Sequence, residues 1–194
     1  MKWRTHSPHS LLLLVAALTG CTMPPVSSVP KQEPQLAPEA TAAATVAFTE
    51  GPAADAQGNV YFTETTFHRI MKLAPNGALT VFREKSNAAN GLLVDPQNRL
   101  IACEGAPVGK NSPMAGTETV PRLTRTDLAT GKVEVLATEF EGEPFVGPND
   151  VTIDHQGRLY FTDLPGGGVY RIDTNNKLSK ILRRPEIQRP NGIA

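Results

Sequence analysis

Asp55-Ala56-Gln57-Gly58-Asn59-Val60-Tyr61-Phe62, Asp95-Pro96-Gln97-Asn98-Arg99-Leu100-Ile101-Ala102 and Asp154-His155-Gln156-Gly157-Arg158-Leu159-Tyr160-Phe161 repeat one pattern: an aspartate, a turn, then an apolar run. The frame aspartates stand 40 and 59 residues apart. The longer interval holds the polar, Gly/Pro-rich stretch Gly105 to Pro121 and the segment Glu141 to Pro148, both read as inserted loop. Each copy continues into a second pair of alternating runs: Arg69 to Leu73 with Leu79 to Phe82, Arg122 to Thr126 with Val133 to Leu136, and Val169 to Asp173 with Leu178 to Leu182. Turns such as Pro75-Asn76-Gly77 and Thr130-Gly131 join the members of a pair, which is hairpin chemistry. Four short strands in a period of about 40 residues predict an all-β chain of β-propeller blades. A parallel β-helix needs a much shorter repeat, and a helical solenoid would show a period of about 3.6 residues.

Three full units end near Arg184, and Pro190-Asn191-Gly192-Ile193-Ala194 opens a fourth. Propellers close with about four to eight blades. The chain is therefore expected to be part of a longer propeller, about three blades and a stub, with open blade edges prone to self-association.

Outside the repeat, the 194 residues are 40% apolar and carry 19 basic and 19 acidic side chains without long runs of either sign. That balance gives no footprint for a nucleic-acid backbone. Two cysteines are too few for a disulfide scaffold or a Cys-rich zinc site. Lys2 and Arg4 precede the apolar run Leu11 to Leu18, followed by Thr19-Gly20-Cys21, so residues 1–21 read as an export signal. Eight apolar residues fall short of the ~20 needed to span a bilayer. Leu18-Thr19-Gly20-Cys21 resembles a bacterial lipobox, which implies lipidation at Cys21 and a membrane-anchored, exported protein, on the periplasmic face of the outer membrane in a Gram-negative cell. Removal of the leader would leave 17 basic against 19 acidic residues, a net charge of −2. Residues 22–45, with five prolines and five alanines and no periodicity, read as a disordered tether, and residues 46–194 as the propeller part. Cys103, in a strand-like apolar run, is expected to be a small core residue.

Five residues before the frame aspartates stand Glu50, Asn90 and Asn149, and the opening fourth unit offers Asn191 in the same context. In a propeller the strand that opens each unit runs along the central channel, so the four side chains are expected to converge at one end of it. One carboxylate and three amides are hard oxygen donors suited to Ca²⁺ or another hard divalent cation, and lack the imidazole and thiolate that zinc prefers. The competing reading is that Asn-Gly is common turn chemistry and that polar residues line propeller channels without binding anything.

Phe48-Thr49-Glu50-Gly51-Pro52, Asn90-Gly91-Leu92, Pro148-Asn149-Asp150-Val151, Tyr160-Phe161-Thr162-Asp163 and Pro190-Asn191-Gly192-Ile193-Ala194, in this order, resemble the gluconolactonase / senescence-marker-protein-30 family of six-bladed propeller lactonases. The resemblance implies a divalent-metal site, usually calcium, in the channel. It places Glu50 and Asn191 at metal-ligand positions and Asn149 where the family contacts metal or substrate. It also implies a metal-binding aspartate on the next blade, proposed in the family as the general base, which would lie beyond Ala194. Asn90 is a further candidate for substrate binding, as is Glu104, at the head of the inserted loop.

Asp150 is read as capping a turn or bonding nearby backbone, in preference to a direct catalytic role, and Glu64, Glu104 and Asp163, which share a blade position, as solvated or bonded to neighbouring backbone. His68 and His155 are read as surface residues. No G-x-S-x-G, H-E-x-x-H or P-loop motif is present. The expected activity is metal-dependent hydrolysis of a sugar lactone such as gluconolactone, or a related cyclic ester, by the full-length protein. The rivals are a non-catalytic ligand- or partner-binding propeller, since fold does not fix function, and an inactive truncated chain.

Overall fold

A computed structural model describes residues 48–106 and 113–194. The expectations for the leader, Cys21 and the tether lie outside the described residues.

The repeat resolves into three antiparallel four-stranded sheets, each formed by strands in sequence order. The first blade is β1 (Thr49–Ala54), β2 (Val60–Glu64), β3 (Arg69–Leu73) and β4 (Leu79–Arg83). The second is β5 (Leu92–Val94), β6 (Arg99–Glu104), β7 (Arg122–Asp127) and β8 (Val133–Ala137). After a small ribbon of β9 (Glu139–Phe140) and β10 (Glu143–Pro144), the third blade follows as β11 (Pro148–Ile153), β12 (Leu159–Asp163), β13 (Gly168–Ile172) and β14 (Leu178–Arg183). Four-stranded meanders with short turns, repeated along the chain, are the blades of a β-propeller.

The frame aspartates build the turn between the first two strands of every blade. Oδ1 of Asp55 accepts the amides of Gln57 and Asn59, Oδ1 of Asp95 those of Gln97 and Arg99, and Oδ1 of Asp154 those of Gln156 and Arg158, all at 2.8–3.0 Å. Oδ2 takes the side chain four residues on, from Asn59 at 2.7 Å, Arg99 at 2.8 Å and Arg158 at 2.6 Å. An Asx turn needs a short side-chain acceptor at its first position, and in Asp the second oxygen also takes the side chain four residues on, which is why Asp suits this place. Against a desolvation that would raise its pKa, the amide and guanidinium of Arg158 and the amide of Gln156 hold Asp154 down at about 2. A carboxyl lowered on folding stabilises the fold above its unfolded pKa of about 3.9, and that contribution is lost as pH falls through the folded value. Asp154→Asn is therefore expected to lose less melting temperature than the parent between about pH 4 and pH 2, as read by thermal unfolding across that window.

Between the first and second blades, Tyr61, Ile70, Ala89, Leu92, Leu100 and Ala102 form one apolar cluster. Ile101, Cys103, Leu123, Phe145, Val151, Phe161 and Tyr170 belong to a second, between the second and third blades. Cys103 is thus a core residue, and burial followed by the charges of Asp150, Glu104 and Asp163 pushes its thiol well above its ordinary pKa. Glu141 to Pro148, expected as plain loop, instead contributes β10 and Phe145. The Phe145 ring packs edge-on against Phe161 and Tyr170, at 5.2 and 5.1 Å between centroids. A single aromatic ring buried among others anchors the segment without any strand periodicity to announce it.

Two other expectations are corrected. His68 is buried in the loop after the turn Thr65–Phe67, in a left-handed conformation, and burial lowers its pKa. Glu64, expected to be solvated or bonded to backbone, is instead buried and pairs with Arg69. Asp163 is buried too, and its bonding to neighbouring backbone is as expected: it accepts the amides of Val146, Gly147 and Gly166 at 3.0, 2.9 and 3.2 Å. Each carboxylate closes the loop end of its own blade. His155 is exposed, as expected.

Candidate functional site

The opening segment of each unit lines a shared cavity. Glu50, Asn90 and Asn149 line it from the three blades and Asn191 from the fourth unit, around a volume of about 370 Å³. In the first and third blades the pairing register shifts at this point, between Glu50 and Ala53 and between Pro148 and Val151. Such bulges re-aim side chains at the end of a strand. Asn149 is buried, Asn90 half-buried, and Glu50 and Asn191 are exposed.

Backbones of adjacent blades meet closely here. A Cβ on Gly51 would lie 2.5 Å from the Asn90 carbonyl oxygen and 2.5 Å from the Gly91 Cα. On Gly91 it would lie 2.5 Å from the Asn149 carbonyl oxygen and 2.7 Å from the Asp150 Cα. Gly91→Ala is accordingly expected to cost about 1–3 kcal/mol, because backbone cannot give way as a side-chain tip can; denaturant unfolding measures it.

Asp150 occupies the position that is glycine in the other units, and it too lines the cavity. Its Oδ1 accepts the Val151 amide at 2.9 Å and its Oδ2 the Ile193 amide at 3.3 Å. Its bonding to nearby backbone is as expected, whereas its place on the cavity is not, since phase alone puts no acid besides Glu50 at the channel. The signal available was the break in the series Gly51, Gly91, Asp150, Gly192.

Glu104 is elsewhere, and its expected contact with substrate is corrected. The side chain is 0% exposed and its carboxylate is fully engaged. It pairs with Arg83, accepts from Arg122 Nε at 2.8 Å and from the Thr124 hydroxyl at 2.6 Å, and has the Asn87 amide at 3.4 Å. Arg83 belongs to the preceding blade, so Glu104 ties two blades together.

Among the described residues no three His, Cys, Asp or Glu side chains are grouped so as to hold a metal ion. A cation at this cavity would have to draw on amide oxygens beside the carboxylates. The donor set, Glu50 with Asn90, Asn149 and Asn191, has that composition, and all-oxygen coordination suits a hard divalent ion.

Residues 48–194 match the SMP-30/Gluconolactonase/LRE-like region, and the chain belongs to that family. A gluconolactonase of Zymomonas mobilis is 25% identical over 169 residues, which cover 78% of this chain and 47% of the relative. Among solved structures, a putative gluconolactonase superposes with a TM-score of 0.64 at 27% identity, covering 76% of this chain and 52% of its own. A gluconolactonase from Xanthomonas campestris, at 24% identity and a TM-score of 0.61, shares the fold over 71% of this chain and 48% of its own. The chain thus spans about half the length of these relatives.

Proposed function

We propose that the full-length protein is a lactonase that uses a hard divalent cation, Ca²⁺ in the first instance, to hydrolyse a sugar lactone or related cyclic ester. The observation that carries this reading is the convergence of Glu50, Asn90, Asn149 and Asn191 on one cavity in a chain of this family. Glu50, Asn149 and Asn191 are the residues that would hold the cation. When bound, such an ion polarises an ester carbonyl and lowers the pKa of an attacking water.

The chain's own groups supply orientation and charge. Asn90 and Asn149 each carry an amide that donates through Nδ2 and accepts through Oδ1, matched to the alternating hydroxyl and ring oxygens of a sugar lactone. Among the acids lining the cavity, Asp150 accepts a backbone amide at each oxygen, whereas Glu50 is exposed and makes no ion pair among the described residues, so Glu50 is the carboxylate proposed to face a ligand. By family resemblance, the proton acceptor is proposed to be an aspartate of a further blade. From Leu11 to Cys21, the proposal extends to a lipid-anchored protein acting outside the cytoplasm.

The test is hydrolysis of D-glucono-lactone by the full-length protein, followed by pH-stat titration. Activity is expected to vanish on chelation and to return with Ca²⁺. Hydrolysis that survives complete chelation would exclude the cation, and absence of hydrolysis across sugar and aliphatic lactones would favour a binding propeller instead.

A further inference from the structure

Every asparagine of the cavity rim has its backbone carbonyl held by the blade before it, by a threonine hydroxyl at the first and third junctions and by a glycine amide at the second. From the first blade, the Thr63 hydroxyl is 3.0 Å from the Asn90 oxygen and 3.1 Å from that of Glu50. From the second, the Gly91 amide donates directly to the Asn149 oxygen at 2.7 Å. From the third, the Thr162 hydroxyl donates to the Asn191 oxygen at 2.8 Å and accepts the Asp150 amide at 3.1 Å.

The third junction differs in the residue that makes the contact. Gly51 and Gly91 lie flush against the next backbone, and the corresponding station of the third blade is Asp150, which carries a side chain. Side chains tie this junction: Thr162 holds residue 191 through its carbonyl, and Asp150 holds residue 193 through its amide. Thr162 is buried and its hydroxyl is used in both directions.

We propose that Thr162 and Asp150 are positioning residues for Asn191, a two-point clamp that fixes where the fourth unit places its donor on the cavity. This rests on the cation-binding reading of the cavity, to which it adds the residues that set donor geometry. Outer groups that orient ligands typically change metal affinity by about 10–100-fold when removed. Valine at position 162 keeps the shape of threonine and deletes the hydroxyl.

In the full-length protein, Thr162→Val is expected to weaken Ca²⁺ binding, read by calorimetric titration, about tenfold, while Thr162→Ser binds like the parent. Independently of any cation, amide hydrogen exchange at Asp150 should quicken in Thr162→Val. Asp150→Ala, which leaves the threonine in place, should quicken it at Ile193 and weaken binding similarly. Exchange unchanged at both amides would overturn the clamp, and quickened exchange with parental affinity would overturn its role in placing the donor. A parent protein that binds no Ca²⁺ would remove the cation-binding reading and the donor-placing role with it, while the exchange measurement would still decide whether Thr162 holds the Asp150 amide and Asp150 holds residue 193.

Discussion

Glu104→Ala is expected to destabilise the protein by about 3–5 kcal/mol, the usual consequence of removing one partner from a buried ion pair. The carboxylate is the shared partner of Arg83, Arg122 and Thr124. Arg83 is only 14% exposed and would keep its charge with its principal counterion gone. Glu104→Gln preserves shape and some hydrogen bonding, so its loss should be smaller. Thermal and denaturant unfolding would rank the three proteins. Because the residue ties blades together and does not line the cavity, the folded fraction of either variant should keep the parental KM. A selective rise in KM without loss of stability would restore Glu104 to the substrate.

Glu50→Gln should act in the opposite manner. The side chain is exposed at the start of β1 and makes no ion pair among the described residues, so stability without metal should change by less than about 0.5 kcal/mol. Cation affinity should fall on the order of tenfold to a hundredfold, since ligand charge is a main determinant of Ca²⁺ binding. Lactone hydrolysis should fall in parallel and be partly recovered by raising the cation concentration. Calorimetric titration of the apoprotein and activity against free Ca²⁺ would establish both. Parental activity in Glu50→Gln would exclude the residue from the site.

The blade architecture was legible because its cause is local. An aspartate that closes an Asx turn and two hairpins of alternating pattern recur in each unit, and the strands lie within a residue or so of where the alternation puts them. The convergence of Glu50, Asn90, Asn149 and Asn191 follows from their common phase to the frame aspartates. Burial of Glu64, Glu104 and Asp163 was not legible, because a carboxylate's environment depends on what the adjoining chain brings to it. Arg83 reaches Glu104 across 21 positions, and the amides of Val146 and Gly147 reach Asp163 across 17 and 16. Phe145 was hidden for a related reason: one ring in an aperiodic segment carries no signal until a neighbouring blade offers it a pocket.

The rim residues are held through their main-chain carbonyls. Thr63, Gly91 and Thr162 all bind carbonyl oxygens, leaving the side chains of Glu50, Asn90, Asn149 and Asn191 out of the joinery. Spacing and chemical content are thereby separated: the diameter of the rim is a property of the seams between blades, and the groups presented across it are interchangeable inserts. At the exposed stations Glu50 and Asn191, a side chain can be exchanged without touching the bonds that set the distance to the next blade. The cavity's lining can thus be rewritten by single codons while the seams are left alone.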